Sequence, residues 1–144
     1  MDAKGRIAMP AKARERLPEA CRGQLIATIN VQTKCLLLYT LEGWEQVEKS
    51  LQELPTLKPE VARVVRLIRG YARDLEFDSA GRFLLPSELR AYAQIEKKVV
   101  LSGQGRRFEL WSEELWNREF EQVLADVSSG ALVLPDELLS LTTL

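Results

Sequence analysis

Two apolar, β-prone runs, Gln24–Ile29 and Cys35–Tyr39, flank a polar break at Asn30–Lys34 and predict a hairpin. Leu41, Trp44, Val47, Leu51 and Leu54 then recur at helical spacing. They predict a helix over about 41–54, capped by Thr40, with Trp44 in the core. Pro55 closes that segment, and Pro59 suits the first turn of a second helix over about 59–70. On this helix Val61, Val64, Val65 and Ile68 share an apolar side, while Arg63, Arg66, Arg69 and Arg73 fall within an arc of about 120° beside it. A solvated face is the ordinary reading of such an arc; a phosphate-tracking or subunit-contacting face is the alternative. Tyr71–Phe77 alternates, with Leu75 and Phe77 on one side, and predicts a strand.

The pattern then returns. Lys98–Ser102 matches the run at Gln24, Phe108–Trp111 matches Leu36–Tyr39, and Ser112 stands before a helix as Thr40 does. Trp116, Phe120, Val123, Leu124 and Val127 form the apolar face of this last helix, and its other side is acidic. The tail from Ala131 is apolar and short, open between a docked helix around Pro135–Leu141 and a frayed end.

A tighter repeat lies inside the longer one. Asp2-Ala3-Lys4-Gly5-Arg6 and Asp78-Ser79-Ala80-Gly81-Arg82 align without gaps at an offset of 76, and each leads to a Pro (Pro10, Pro86) and a second Arg (Arg14, Arg90). Such a repeat sets the architecture, because each copy contributes one supersecondary unit. Asp caps a type I turn and Gly takes its left-handed position, so Asp2, Gly5, Asp78 and Gly81 form the turns. Arg82–Leu85 reads as a short strand stopped by Pro86, with Ser87 as N-cap of a short helix over 88–92. Each Asp can hold its Arg in a local ion pair, or orient it toward a phosphate or base edge, which the planar guanidinium suits. The two readings are compatible.

At 144 residues the chain is one domain or two small ones. It contains no histidine, which removes His-based triads, imidazole metal ligands and the commonest general base. No paired-carboxylate, glycine-rich phosphate or metal motif stands out, so neither an enzyme nor a cofactor is expected. No apolar run approaches the ~18 residues of a membrane span and no signal peptide opens the chain, so a cytoplasmic protein is expected. Cys21 and Cys35 form no close-spaced motif and read as reduced thiols. The net charge of −1 hides a division: residues 1–107 carry 19 Lys and Arg against 13 acids, residues 108–144 one against eight. A basic part of this kind often accompanies nucleic-acid binding.

The paired Asp-x-x-x-Arg turns, with Cys35–Tyr39, Trp44, Gly70-Tyr71-Ala72 and Phe108–Trp111, resemble the MraZ family of bacterial transcriptional regulators up to about Val127. The resemblance implies a mainly β fold with helices (α+β), a double-split swapped-hairpin β-barrel built from two tandem AbrB-like halves. The divisions expected are a first half over 1–43, a helical connector over 44–70, a second half over 71–114, and a C-terminal helix and tail over 115–144. It also implies a nucleoid-associated homo-oligomer, a ring, that binds double-stranded DNA at direct repeats upstream of its own division and cell-wall gene cluster, usually as a repressor. No membrane and no small-molecule substrate are expected. The DNA contacts expected by resemblance are Lys4, Arg6 and Arg82, then Arg14 and Arg90. The alternative is an AbrB-like interaction module, an antitoxin or scaffold, in which the arginines only hold the turns. One departure matters. Met1 directly precedes Asp2, with no counterpart of Tyr71–Phe77 between: either the start is placed too late, or this copy has lost its strand, in which case an unpaired sheet edge is expected beside it.

Overall fold

A computed structural model of the chain describes residues 1–17 and 23–141. The chain forms two compact units, Met1–Glu113 and Glu114–Leu144. The first begins with β1 (Arg6–Ala8), α1 (Ala11–Glu15) and the hairpin β2 (Gln24–Ile29) and β3 (Leu36–Tyr39). Helices α2 (Leu41–Gln52) and α3 (Pro59–Tyr71) follow, then β4 (Arg73–Glu76), β5 (Arg82–Leu84) and α4 (Ser87–Ala93). A second hairpin, β6 (Val99–Gly103) and β7 (Phe108–Ser112), leads into α5 (Glu113–Ser129), and α6 (Asp136–Leu139) lies in the tail. The fold is α+β and all strand pairing is antiparallel.

The repeat is expressed as an internal pseudo-twofold. In the β1–β5 ribbon Ile7 pairs with Phe83, its own counterpart at the offset of 76, flanked by Arg6–Leu84 and Ala8–Arg82. The larger sheet runs β4-β2-β3-β7-β6. At its centre Leu37 pairs with Glu109, again an equivalent pair, at the offset of 72. One strand also crosses between the halves: β4 of the second copy pairs with β2 of the first, Leu25 opposite Leu75.

The strands make a two-stranded ribbon and an open five-stranded sheet, not the closed barrel expected. One edge of the sheet is β6. By the pseudo-twofold, Lys98–Leu101 corresponds to Gln24–Ala27, whose outer edge is bonded by β4, yet no strand among the described residues covers it. Just before β6 the Met1 ammonium bonds the Lys97 carbonyl (2.6 Å), the counterpart of Phe77 N–H to Gly23 O (3.0 Å). Correspondingly, β6 is only half-buried where β2 is almost wholly buried.

Ribbon and sheet share one core, including Ile7, Met9, Leu25, Leu36, Leu38, Leu75, Phe83, Leu85, Leu89 and Leu110. Phe77 joins it edge-on to Phe83, ring centres 5.7 Å apart. Thr40 caps α2 through Gly43 N–H (3.0 Å), and Pro59 opens α3, as expected. The expectations for Trp44 and Ser87 are corrected. Trp44 is half-buried against Tyr39, because α2 buries only Leu51 fully; Leu41 and Leu54 are exposed. Val64 on α3 is also exposed, and only Val65 is fully buried there, so the apolar stripe is narrower than the spacing suggested. Ser87 is the first helical residue rather than the cap, because the Leu89 and Arg90 amides bond the Pro86 carbonyl. The face Trp116–Val127 of α5 buries no residue fully. The expectation for Cys21 lies outside the described residues.

In the second unit α5 carries an Arg118–Glu114 ion pair one turn apart and a Trp116–Phe120 ring contact at 4.4 Å. Four-residue α6 begins after Pro135 and buries nothing. No helix among the described residues is long and apolar enough to cross a membrane.

The bare β6 edge yields a test. A strand with the sequence of Arg73–Glu76, fused directly ahead of Met1, would continue the Met1–Lys97 bond along Lys98–Leu101. The gain expected is on the order of 1–2 kcal/mol from added hydrogen bonds and cover for Val99 and Leu101. Urea denaturation measures it; an unchanged midpoint refutes the pairing.

Candidate functional site

The two Asp-x-x-x-Arg turns are built alike, bond for bond. In the first, Asp2 O accepts from Gly5 N–H (3.1 Å), and Asp2 Oδ1 accepts from the amides of Lys4 and Arg6 (both 2.9 Å). In the second, Asp78 O accepts from Gly81 N–H (3.0 Å), and Asp78 Oδ1 accepts from the amides of Ala80 and Arg82 (both 2.9 Å). The other carboxylate oxygen takes the arginine: Arg6 Nε to Asp2 Oδ2 at 2.8 Å, Arg82 Nε to Asp78 Oδ2 at 3.2 Å. The short polar side chain thus closes the turn and sets the guanidinium angle together. These bonds hold both carboxyls below the ordinary aspartate range, the backbone amides of Arg6 and Arg82 respectively contributing most.

The ribbon carries both turns, and they converge. Arg82 Nη1 lies 4.0 Å from Asp2 Oδ2, so Asp2 faces both arginines. The ribbon also ties each turn glycine to the other copy: Met9 N–H bonds Gly81 O (3.2 Å) and Leu85 N–H bonds Gly5 O (3.0 Å). Arg6 and Arg82 remain about one-third exposed, and Lys4 is exposed at the tip of the first turn. Its counterpart is Ala80, so the first turn carries one more positive charge.

Arg14 and Arg90 sit elsewhere. Gly5 (φ +82°) and Gly81 (φ +76°) occupy the left-handed region expected, and each is covered by an arginine of the opposite copy. A Cβ on Gly81 would overlap Arg14 Nη1 and lie 2.6 Å from its Cζ; one on Gly5 would lie 2.9 Å from Arg90 Nη1. The Nε atoms of Arg14 and Arg90 are buried without a hydrogen-bond partner. The positive φ was legible in the sequence. The crossed packing was not, although the repetition of that second arginine was its trace.

The basic face of α3 divides. Arg69 pairs with Glu48 of α2 (3.1 Å), and Arg73 Nη1 donates to the carbonyls of Gly70 and Ala72 (both 2.8 Å). Arg63 and Arg66 line a hollow of about 370 Å³ with Leu67, Tyr71, Arg73 and Glu88. Cys35 is free and fully buried, and burial pushes its thiol pKa up, so it is not a reactive nucleophile.

The turns have a definite acid limit. Because both aspartates titrate lower in the folded chain than unfolded, their support is complete above the ordinary value of 3.8 and is lost as pH falls below it. NMR should show the amides of Lys4, Arg6, Ala80 and Arg82 shifting together on acidification below that value. Asp78→Ala should abolish the shift at Ala80 and Arg82 while leaving Lys4 and Arg6 responsive; an unchanged response at all four refutes the cage.

The family model described as MraZ protein, antitoxin-like, matches residues 1–67 and again 68–132. The chain is 46% identical over 142 residues to the transcriptional regulator MraZ of Alkalilimnicola ehrlichii, covering 99% of this chain and 93% of that protein. It is 48% identical over 138 residues to that of Pseudomonas aeruginosa (96% and 91%) and 47% over 130 residues to that of Hydrogenovibrio crunogenus (90% and 86%). Two tandem matches, each holding one Asp-caged turn, agree with the pseudo-twofold of the fold: the chain belongs to the MraZ family.

Proposed function

We propose that this chain is a transcription regulator that binds double-stranded DNA through its paired turns. The observation that carries the reading is the convergence of two identically caged arginines, Arg6 and Arg82, on one ribbon. Each Asp holds its partner through Nε, which leaves the outer edge of the guanidinium directed to a phosphate or a base. Lys4, exposed beside Arg6, adds a phosphate contact. The relatives named as transcriptional regulators support the class of function.

The finer reading follows the family. The target is a set of direct repeats upstream of the chain's own division and cell-wall gene cluster, the effect is repression, and the place is the cytoplasmic nucleoid. The divisions are those expected from the sequence (1–43, 44–70, 71–114 and 115–144). The exchanged strand β4 supports one half of a swapped-hairpin barrel. A homo-oligomeric ring suits a module with few basic side chains per copy, because linked weak sites gain avidity when their spacing matches the repeats.

Fluorescence anisotropy with a repeat-bearing duplex and a scrambled one, each at two salt concentrations, tests this. Preference for the repeats with a steep salt slope is expected. Arg6→Ala and Arg82→Ala should each weaken binding roughly 5- to 150-fold. Equal weak binding to both duplexes, unchanged by either substitution, would refute the turns as the DNA surface.

A further inference from the structure

Arg14 and Arg90 were expected as direct DNA contacts, and their geometry suggests another role. Each guanidinium lies across the Cα of a turn glycine in the opposite copy: Arg14 of the first over Gly81 of the second, Arg90 of the second over Gly5 of the first. In the tighter case Nη1, Cζ and Nε all fall within 3.0 Å of where a Cβ would stand, so the planar group is laid flat on the backbone. The Nε–H is buried and unbonded in both arginines. Leaving a buried donor without a partner is unfavourable. Two symmetry-related helices, α1 and α4, nevertheless place an arginine in the same way. Arg6 and Arg82 satisfy their Nε on a carboxylate, whereas Arg14 and Arg90 leave theirs buried and unbonded against a turn glycine.

We infer that Arg14 and Arg90 are crossed positioning residues, each setting the DNA-binding turn of the other half. Arg14 braces Asp78–Arg82 from behind at Gly81, and Arg90 braces Asp2–Arg6 from behind at Gly5. Each turn is then held from two sides. Its own Asp cages the front, while the other half's arginine and the ribbon bonds of Met9 and Leu85 fix the back. The inference rests on the DNA-binding reading for its functional consequence, but its structural part stands apart from it. Neither half could present its arginine correctly alone, which accounts for two copies in one chain.

The pairing is crossed, and that makes it testable. The set is Arg14→Ala, Arg14→Lys, Arg6→Ala, Arg82→Ala and the doubles of Arg14→Ala with each, assayed by anisotropy across a salt series. Arg14→Ala should weaken binding about 10-fold, within the span for loss of one contact. Combined with Arg82→Ala it should add little, because the two act through one turn; combined with Arg6→Ala the losses should multiply. Arg14→Lys, which keeps the charge without the planar group, should behave as Arg14→Ala does. The opposite result identifies a direct phosphate contact and overturns the inference: full rescue by Lys, multiplied losses with Arg82→Ala, and a salt slope lowered by about one beyond Arg82→Ala.

NMR of the free protein separates this from failure of the DNA reading. Arg14→Lys, the variant that best preserves folding, should shift the amides of Ala80, Gly81 and Arg82 and leave Lys4, Gly5 and Arg6 in place. The same shifts in a protein that binds neither duplex would uphold the brace and refute only the DNA assignment. Shifts confined to the first turn, or none, would refute the brace itself.

Discussion

The constraint on which the rest depends is the pairing of Ile7 with Phe83, two equivalent residues at the centre of a three-residue ribbon. An isolated pair of such short strands is not stable in water. It persists because both inward side chains are buried in the common core and because each flanking turn is bonded to the strand of the other copy. Once the halves cross there, the remaining order follows. The second copy's entering strand, β4, must lie on β2, and β3 and β7 must meet at the middle of the sheet.

The pseudo-twofold is obeyed by the backbone more closely than by the side chains, and the departures are local. Tyr92 on α4 donates to Asn30 O (2.5 Å) under the Lys34 ammonium, closing the β2–β3 loop over buried Cys35. Its counterpart at the offset of 76 is Arg16, which instead lines a cleft of about 320 Å³ with Arg106 and Arg107 of the β6–β7 loop. Likewise β4 covers the outer edge of β2, while no strand among the described residues covers the outer edge of β6 and the Met1 ammonium bonds Lys97 just before it. The uncovered edge thus belongs to the second half, while the first half is the more basic, with seven Lys and Arg against four acids over 1–43 and seven against eight over 71–114.

Electrostatics and conformation are joined at the turns. A carboxylate that accepts two backbone amides and a guanidinium serves as cap and as orienting group, so the charge pattern cannot be altered without altering the backbone. This differs from the surface pair Arg69–Glu48, whose contribution is small and screened by salt.

Much of this was legible in the residues. The hairpins, the capped helix after Thr40 and the two Asp-Gly turns depend on local signals: alternation, capping and the need for positive φ. The repeated Asp-x-x-x-Arg motif marked the site for the same reason, since its cage closes within five residues. What misled was equally local. Helical spacing placed Trp44 inward, but how much of a helix face is covered depends on what packs against it, and α2 buries only Leu51 fully. The sequence by itself determined the turns, the hairpins and the existence of two copies, because those rest on contacts between near neighbours. Only the tertiary structure decided that the copies cross, and that Arg14 lies on Gly81 and Arg90 on Gly5. Those contacts join residues far apart along the chain, and no local preference encodes which distant partner a side chain will meet.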